Sequence, residues 1–501
     1  MNRSAGVLLA IPSLPSKYGI GCFSKEAYDF VDWLVEAKQT YWQILPVGPT
    51  VWGQAADSPY QAYSAFAGNP YLIDLEPFVK AGLLKAKEIP NMDSEDGRVD
   101  YDKLHDHRIA LLHKVYERSH ISENEKYQKF IQDNAWWLND YALFMALHIF
   151  FKDEEWTTWP EDIRKRWQYS VDYYNTELYF DVEFQKFIQF TFFEQWTALK
   201  SYANEKGIKI VGDMPIYVSL DSADVWAHPE LFQITEENTL AAVAGCPPDD
   251  FSETGQVWGN PLYKWDYHRS TNYEWWISRI WMSFQLFDVL RIDHFRGLDE
   301  YFSIPAGAKT GLEGHWEAGP NMDLFIKMEE RIGKQDLIAE DLGFMTDSVK
   351  KLVKDSGFPN MKVLQFAFDL NDWAKTNDYL PHNYNENCVA YTGTHDNDTS
   401  LGWFTSLSKK EQKLVLDYLG KEKVDDIAWE MIRLVYQSHA KIAIVPMQDF
   451  LGLDSKSRMN LPATTTGNWG WRMAKKANTK ALAKKIAKLA DIYGRVNWSA
   501  K

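Results

Sequence analysis

Four acidic side chains stand at or just after the ends of short apolar segments, and this placement suggests a catalytic site. They are Asp213, Asp293, Glu340 and Asp396. A single acidic residue after a strand commonly caps the following helix. Four such residues favour a shared site that uses carboxylates for chemistry, because the carboxyl ends of parallel strands meet at one rim of a barrel.

Asp293 has the most informative surroundings of the four. Residues two apart on a strand point to the same side, so Arg291 and Asp293 share a face of their segment. A neighbouring guanidinium favours the ionised form of a carboxyl group. An ionised Asp at a barrel rim is suited to nucleophilic attack on the anomeric carbon of a sugar.

A second carboxyl group must carry a proton to assist the leaving oxygen, and Glu340 can supply it if its surroundings are drier. Adjacent strands lie about 4.8 Å apart, which is compatible with the carboxyl separation of about 5 Å in retaining glycosidases. Asp396 approaches from a third direction and could hold sugar hydroxyls or stabilise the transition state. The residues alone leave open whether Glu340 or Asp341 is the acid, since strand alternation sends the two side chains to opposite sides.

Eight short apolar segments supply the strands that must position these residues. Near-continuous apolar strands are typical of a parallel sheet that is buried on both faces. Helical patterns lie between several of them, as in residues 25–37, and this alternation predicts right-handed βαβ units. Eight such units indicate the α/β class and a (β/α)8 TIM barrel. The predicted strands are 6–10, 42–45, 208–212, 289–292, 337–339, 363–366, 389–392 and 442–445.

The uneven spacing of these strands indicates insertions into the barrel. We interpret residues 1–501 as a single catalytic barrel domain. A helical insertion is predicted at about 68–200, between the second and third strands. A loop-rich insertion is predicted at about 219–285, between the third and fourth strands, and it carries the loop 245–261. The aromatic and turn residues of this long loop favour a functional role.

Charge and composition exclude several classes of protein. Lys and Arg number 54 and Asp and Glu number 70, so the formal net charge is −16. Such a balance disfavours binding to nucleic acid or to an anionic membrane. No apolar run of 18 residues occurs, and the three scattered Cys residues support neither a disulfide framework nor a zinc site. We therefore expect a soluble, cytoplasmic protein.

Other catalytic motifs are missing or incomplete. The sequence has no GxSxG elbow, no GxxxxGK[ST] phosphate loop and no HExxH pair. A GxGxxS pattern at 19–24 lacks the third Gly of a dinucleotide site. His294 and His395 each adjoin an Asp, and hydrogen bonding to sugar explains them better than metal binding does.

Five motifs carry the remaining information. They are GDMPIYV at 212–218, GCPPDDFSETGQVWGNP at 245–261, RIDHFRG at 291–297, AEDLG at 339–343 and GTHDN at 393–397. Together they resemble the 4-α-glucanotransferases of glycoside hydrolase family 77, which include amylomaltase and the plant disproportionating enzyme. The resemblance runs from about residue 5 to residue 472. It implies a (β/α)8 barrel with inserted, mostly helical subdomains and no C-terminal β-domain.

The resemblance also implies roles for individual residues. It makes Asp293 the nucleophile, Glu340 the acid/base and Asp396 the stabiliser of the transition state. It implies no metal and no organic cofactor. The expected partners are α-1,4-glucans, maltooligosaccharides and glucose. The candidate substrate-binding residues are Tyr60, Asp213, Arg291, His294, His395, Gln256, Trp258 and Asn260.

The expected reaction moves a segment of an α-1,4-glucan to the 4-OH of glucose or of another maltooligosaccharide. It would proceed with retention, through a covalent glycosyl-enzyme on Asp293 and under a covering loop at 256–258. The alternative is a retaining α-1,4-glucan hydrolase of a related barrel family. A carbohydrate-binding protein with an inactive barrel would have lost a carboxylate, and none is missing. The sequence leaves the oligomeric state open, a monomer included.

Overall fold

The protein was analysed as a computed structural model, in which residues 3–53, 57–94, 97–248, 252–343, 345–370 and 377–496 are described. Twelve strands occur in these ranges. They are β1 (Ser4–Leu8), β2 (Tyr41–Gln43), β3 (Lys209–Met214), β4 (Ala242–Cys246), β5 (Gln256–Pro261), β6 (Val289–Ile292), β7 (Glu300–Pro305), β8 (His315–Ala318), β9 (Leu337–Ala339), β10 (Asn360–Val363), β11 (Cys388–Tyr391) and β12 (Ile442–Pro446).

Eight of these strands close into a parallel barrel, in the order β1, β2, β3, β6, β9, β10, β11 and β12 around the ring. This arrangement confirms the predicted (β/α)8 barrel. Helices and turns follow β12 in residues 447–496, and no further strand occurs in this described range.

The register of the barrel brings the predicted catalytic residues to one rim. β3 and β6 pair so that Asp213 lies beside Arg291, and β6 and β9 end at paired residues. Asp293 and Glu340 are therefore the first residues beyond two adjacent strands. They reach the same height on the barrel because parallel strands in register end together.

The barrel strands are buried on both faces, as their apolar sequences predicted. Every residue of β1, β6 and β12 is buried. Gly212 of β3 lies against Phe287, and a Cβ on this Gly would meet the ring at 2.1 Å. Only Gly allows this close approach, because any side chain would displace the segment that leads into β6.

The strand that lies farthest from its predicted position is β10. The prediction of 363–366 is wrong by three residues, because β10 spans Asn360–Val363 and a 3-10 helix follows at Leu364–Ala367. Polar side chains obscured the strand. Asn360 donates to Asp341 Oδ2 at 2.8 Å, and the Lys362 ammonium lies 5.3 Å from the centre of the Tyr379 ring. These partners allow polar residues inside a buried strand.

The helices surround the barrel and fill the long connection between β2 and β3. Several begin at a side-chain cap, as where Thr346 accepts a hydrogen bond from the Val349 N–H. The described helices are α1 (Lys25–Glu36), α2 (Glu76–Lys80), α3 (Tyr101–Arg118), α4 (Glu125–Phe150), α5 (Glu161–Arg164), α6 (Gln168–Glu177), α7 (Tyr179–Glu205), α8 (Ala223–Ala227), α9 (Trp265–Ser270), α10 (Glu274–Leu286), α11 (Met322–Ile332), α12 (Asp347–Ser356), α13 (Ser400–Ser406), α14 (Lys409–Leu419), α15 (Ile427–Gln437), α16 (Met447–Phe450) and α17 (Lys480–Ile492).

The long helices α4 and α7 pack against each other through aromatic side chains. Phe130 of α4 lies edge-on to Phe190 of α7, with ring centres 5.7 Å apart, and Trp137 contacts Phe193. Much of the aromatic content of the sequence is therefore core. The division of the chain into a barrel with insertions at 68–200 and 219–285 stays an interpretation.

The segment 245–261 is more regular than the loop that the sequence predicted. β4 and β5 pair as an antiparallel hairpin at its two ends, and β4 also pairs with β7, which pairs with β8. Residues 249–251 of this segment lie outside the described residues. The four strands form a second sheet, which gives the predicted covering loop a rigid base.

None of the helices in the described ranges offers the long apolar stretch that a membrane span requires.

Candidate active site

A buried ion-pair ladder links β3 and β6 at the rim. Arg291 Nη1 donates to Asp213 Oδ1 and Oδ2, both at 2.7 Å. Nη2 of the same guanidinium lies 2.9 Å from Asp293 Oδ1. The side chain of Arg291 is 3% exposed, whereas that of Asp293 is 27% exposed. Arg291 and Asp293 thus share a face as the strand alternation predicted, and Asp293 alone opens toward solvent.

Glu340 and Asp341 point to opposite sides of their strand end. Glu340 Oε2 accepts from the backbone N–H of His294 at 2.6 Å, and Oε1 accepts from the Leu342 N–H at 2.7 Å. Asp341 instead accepts from Asn360 and from the backbone of β10. Glu340 therefore lies beside the residue that follows Asp293, while Asp341 ties neighbouring strands together.

The carboxyl groups of Asp293 and Glu340 both have raised pKa values. Burial raises the pKa of Asp293 to about 6, with Asp213 and Asp396 adding to the rise and Arg291 opposing it. Burial raises the pKa of Glu340 further, to about 7, where the charge of Asp293 adds and Arg291 again opposes. Both carboxyl groups thus hold their protons more tightly than free carboxyl groups do, and the charge of one raises the pKa of the other, so the pair passes through a state with one charge and one proton.

Asp396 is held as a carboxylate by its neighbours. His395 Nε2 lies 3.2 Å from Oδ2, and Asn460 Nδ2 donates to Oδ1 at 2.6 Å. Burial by itself would raise the pKa of Asp396, but His395, Asn460 and Arg291 outweigh it and hold the pKa well below its usual range. Asp396 supplies a fixed negative charge at the rim.

Tyr60 joins the ion-pair ladder to His395. Its hydroxyl donates to Asp213 Oδ2 at 2.8 Å and lies 2.8 Å from His395 Nε2. The rings of Tyr60 and His395 are stacked, with centres 5.4 Å apart and planes 17° apart. Burial raises the pKa of Tyr60 well above its usual value, so the hydroxyl keeps its proton. These contacts make one connected network of residues that the sequence separates widely.

His294 adopts a left-handed backbone conformation, with φ 51° and ψ 47°. This conformation is unfavourable for a residue with a side chain, and such strain commonly occurs at functional sites. Trp258 lies edge-on to the imidazole, with ring centres 4.9 Å apart. Burial and the charge of Arg296 lower the pKa of His294 to about 3, so the ring is neutral in ordinary buffers.

The three candidates on β5 differ in their placement. Trp258 Nε1 donates to Gln256 Oε1 at 3.2 Å, and both side chains are partly exposed near His294. Asn260 is buried and donates to the Val218 carbonyl at 2.8 Å. Asn260 thus anchors the hairpin to the segment after β3, whereas Trp258 and Gln256 remain free to meet a ligand.

Comparison with known proteins agrees with this geometry. The family model described as 4-alpha-glucanotransferase matches residues 9–478. A 4-alpha-glucanotransferase of Clostridium butyricum is 47% identical over 489 residues, which are 97% of this chain and 99% of that protein. One of Streptococcus pneumoniae is 45% identical over 501 residues, 99% of this chain and 98% of that protein.

The solved structure of an amylomaltase from Streptococcus agalactiae in complex with acarbose has a TM-score of 0.95 and 38% identity. The match covers 99% of this chain and 100% of that one. The chain belongs to the 4-alpha-glucanotransferase family. It is accordingly a transferase enzyme of glycoside hydrolase family 77.

In this member of the 4-alpha-glucanotransferase family, the sequence analysis missed residues that support Asp396. Asn460 and Arg458 contact it directly, the latter donating to its carbonyl at 2.6 Å. Asp449 accepts from Thr392 Oγ1 at 2.5 Å and so fixes the segment that leads to Asp396. Asp449 follows β12 closely, so the search for acidic residues near strand ends could have found it. No comparable signal marks Asn460.

The described residues contain no group of three or more His, Cys, Asp or Glu side chains placed to hold a metal ion.

Proposed function

We propose that this glucanotransferase works by retaining transglycosylation, with Asp293 as nucleophile and Glu340 as acid/base. The observation that carries the proposal is the placement of the two carboxyl groups: Asp293 lies 2.9 Å from the Arg291 guanidinium, and Glu340, on the adjacent strand end, accepts from the backbone N–H of the residue after Asp293. One carboxylate and one carboxylic acid beside each other are what a retaining mechanism requires. Arg291 contacts the nucleophile and is itself held by Asp213, which also accepts a hydrogen bond from Tyr60.

In the first step, the Asp293 carboxylate attacks the anomeric carbon of an α-1,4-glucan. The bond from that carbon to the glycosidic oxygen breaks, and Glu340 gives its proton to the leaving oxygen. The donor fragment remains bound to Asp293 as an ester. The fixed charge of Asp396 favours the positive charge that develops on the sugar ring in the transition state.

In the second step, the 4-OH of glucose or of a maltooligosaccharide attacks the same carbon. Glu340, now a carboxylate, takes the proton of that hydroxyl, and the ester bond to Asp293 breaks. The acceptor prevails over water when bound in line and when the cleft excludes water. Trp258 and Gln256 on the hairpin, together with Tyr60, are the groups that we assign to this cover.

We further propose that α-1,4-glucans, maltooligosaccharides and glucose are the partners of the cleft. The connected donors and acceptors of Tyr60, Asp213, His395 and Arg291 suit sugar hydroxyls, which both donate and accept. His294 adds a neutral imidazole and Trp258 an aromatic face. A cytoplasmic location stays a prediction.

Pure maltotriose tests the reaction class. We expect glucose together with chains longer than maltotriose, because a transferase passes maltosyl units to other sugars. Products that are all shorter than maltotriose would show a hydrolase instead. Chromatography of the products over time separates the two outcomes.

The variant Asp293→Asn tests the assigned nucleophile. We expect activity to fall by several orders of magnitude while the unfolding temperature stays near that of the parent enzyme, since the amide is nearly isosteric. Asp323→Asn is the matched control, because Asp323 lies in a partly exposed ion pair with Arg269. Retained transfer in the Asp293→Asn variant would end the assignment.

A further inference from the structure

Three buried polar atoms of the active site and its surroundings that lack a partner among the described residues are Nδ1 of His395, Nε2 of His294 and the hydroxyl oxygen of Tyr217. The side chains of His294 and Tyr217 both lie next to Gly297. Tyr217 lies in the segment after β3 and is 6% exposed. Buried polar groups in folded proteins almost always form hydrogen bonds, so each orphaned atom calls for an explanation.

The edge of the His294 ring that includes Nε2 and the hydroxyl of Tyr217 both border the space beside Gly297. A Cβ placed on Gly297 would lie 3.1 Å from His294 Cδ2, which is bonded to Nε2, and 3.4 Å from the Tyr217 hydroxyl. The centres of the two rings are 6.5 Å apart. Gly297 therefore lets the imidazole edge and the phenol approach each other. One bridging water, or a rotation of the imidazole, would join the two polar atoms.

The phenol of Tyr217 is well fixed. Its ring stacks on Tyr263, with centres 6.1 Å and planes 19° apart, and Tyr263 is itself anchored by a hydrogen bond from its hydroxyl to the Ile216 carbonyl. Trp258 covers the group from the hairpin, with its ring 6.3 Å from that of Tyr217. Packing against Tyr263 and Trp258 thus fixes the phenol beside Gly297.

We propose that the Tyr217 hydroxyl donates to Nε2 of His294, directly or through one water, and thereby fixes the imidazole as the tautomer that carries its proton on Nδ1. Tyr217 is then a positioning residue that acts through His294. The Nδ1–H donates to a hydroxyl of the bound glucan, a step that rests on the function proposed above.

The direction of the hydrogen bond follows from counting donors and acceptors. A neutral imidazole has one N–H and one acceptor nitrogen, and burial together with Arg296 keeps this ring neutral by lowering its pKa to about 3. Donation from Tyr217 satisfies the phenol proton and the Nε2 lone pair at once. The reverse direction would leave the phenol proton buried without an acceptor.

The placement of Nδ1 completes the argument. His294 is only partly buried. Its Nε2 is buried without a partner, whereas its Nδ1 is not among the buried unpartnered atoms. The hydrogen bond that His294 donates among the described residues runs from its backbone N–H to Glu340, and it leaves Nδ1 unused. Nδ1 is thus the nitrogen on the open side of the ring, where the Tyr217 contact would aim its proton at a ligand.

Nuclear magnetic resonance of enzyme labelled with ring-¹⁵N histidine tests the tautomer in the resting protein. The His294 signals are assigned as those lost in His294→Gln. We expect Nδ1 to resonate as the protonated nitrogen and Nε2 as the unprotonated one. A proton on Nε2 in the parent enzyme would overturn the proposal without any further variant.

The variant Tyr217→Phe tests the cause. We expect the His294 tautomer to become mixed and kcat/KM for maltotriose to fall about 5- to 10-fold, the effect of one hydrogen bond. In a His294→Gln background the same change should have almost no effect, because Tyr217 acts through His294. An unchanged tautomer, or an equal loss in both backgrounds, would refute the positioning role.

The control is Tyr436→Phe, which removes another buried hydroxyl. Tyr436 donates to Gln39 Oε1 at 3.1 Å, at the end of the barrel opposite the catalytic rim. We expect no change in the His294 signals or in kcat/KM. The resonance test does not require turnover, so its result is independent of the maltotriose assay. In that assay, hydrolysis without transfer would refute the proposed function.

Discussion

The interaction of His148 with Asp221 predicts a pH-dependent stability. His148 belongs to α4, and its Nε2 lies 2.8 Å from Asp221 Oδ2 in the segment that follows β3. Its Nδ1 lies 3.4 Å from Asp153. The side chains of His148 and Asp221 are 2% and 3% exposed. This ion pair joins the long connection between β2 and β3 to the rim of the barrel.

The magnitude follows from the proton affinity of His148. Burial by itself would lower the pKa, but hydrogen bonds and charges from Asp153 and Asp221 raise it to about 9. Each unit of pKa corresponds to about 1.4 kcal/mol, so a rise from about 6.5 is worth about 3 kcal/mol of folding free energy. Because the folded-state pKa is raised, this stabilisation is complete below about pH 6.5 and is lost as the pH rises through 9.

Urea unfolding of the parent enzyme and of His148→Gln measures this free energy directly. At about pH 6 the variant also leaves Asp221 buried without its cation, which is costly. We expect the free energy of unfolding to differ by about 3 kcal/mol more at pH 6 than above pH 9. His113→Gln is the matched control, because its partner Glu117 is exposed and such a pair contributes less than about 1 kcal/mol.

A difference between parent and variant that stays constant over this range of pH would refute the reasoning. It would mean that His148 is neutral in the folded protein, and that Asp221 is paired in some other way. A pH-dependent difference of the same size in His113→Gln would refute it as well, because the effect would then not depend on burial.

Three further outcomes concern the cleft. The pH profile of kcat/KM should be bell-shaped. It should rise through about pH 6 as Asp293 ionises and fall above about pH 7 as Glu340 loses its proton. A flat profile would contradict these roles. Asn460→Ala removes a hydrogen bond that holds the pKa of Asp396 low. The kcat of the variant should therefore fall roughly 10- to 100-fold in the standard transfer assay. An unchanged kcat would show that the contact is dispensable. Trp258→Ala should raise the ratio of hydrolysis to transfer in the maltotriose products by opening the cleft to water, and an unaltered ratio would argue against a covering role.

The barrel was predictable where local pattern and tertiary environment agree. The segments of β6 and β9 are largely apolar because both faces of these strands are buried, with the paired Arg291 as the exception, and their predicted bounds match the structure. β10 was misplaced because Asn360 and Lys362 are buried by virtue of partners on other elements. The hairpin of β4 and β5 was predicted to be a loop, because its pairing with β7 depends on a strand that is distant in sequence.

The candidate site was likewise predictable from the sequence only in part. Arg291 and Asp293 lie two residues apart on one strand, so their shared face followed from geometry that a sequence contains. The choice between Glu340 and Asp341 could not be made from the residues, and only the family resemblance favoured Glu340. The contacts of the two carboxyl groups come from His294 on one side and from Asn360 on the other, and both are distant in sequence.

The sequence by itself determined the architecture, the set of rim carboxylates and the family, because strand periodicity and contiguous motifs are local properties. The tertiary structure decided which carboxyl group is drier, what holds Asp396 ionised, and that Tyr217 lies beside His294. These depend on desolvation and on hydrogen bonds between chain segments that only folding brings together.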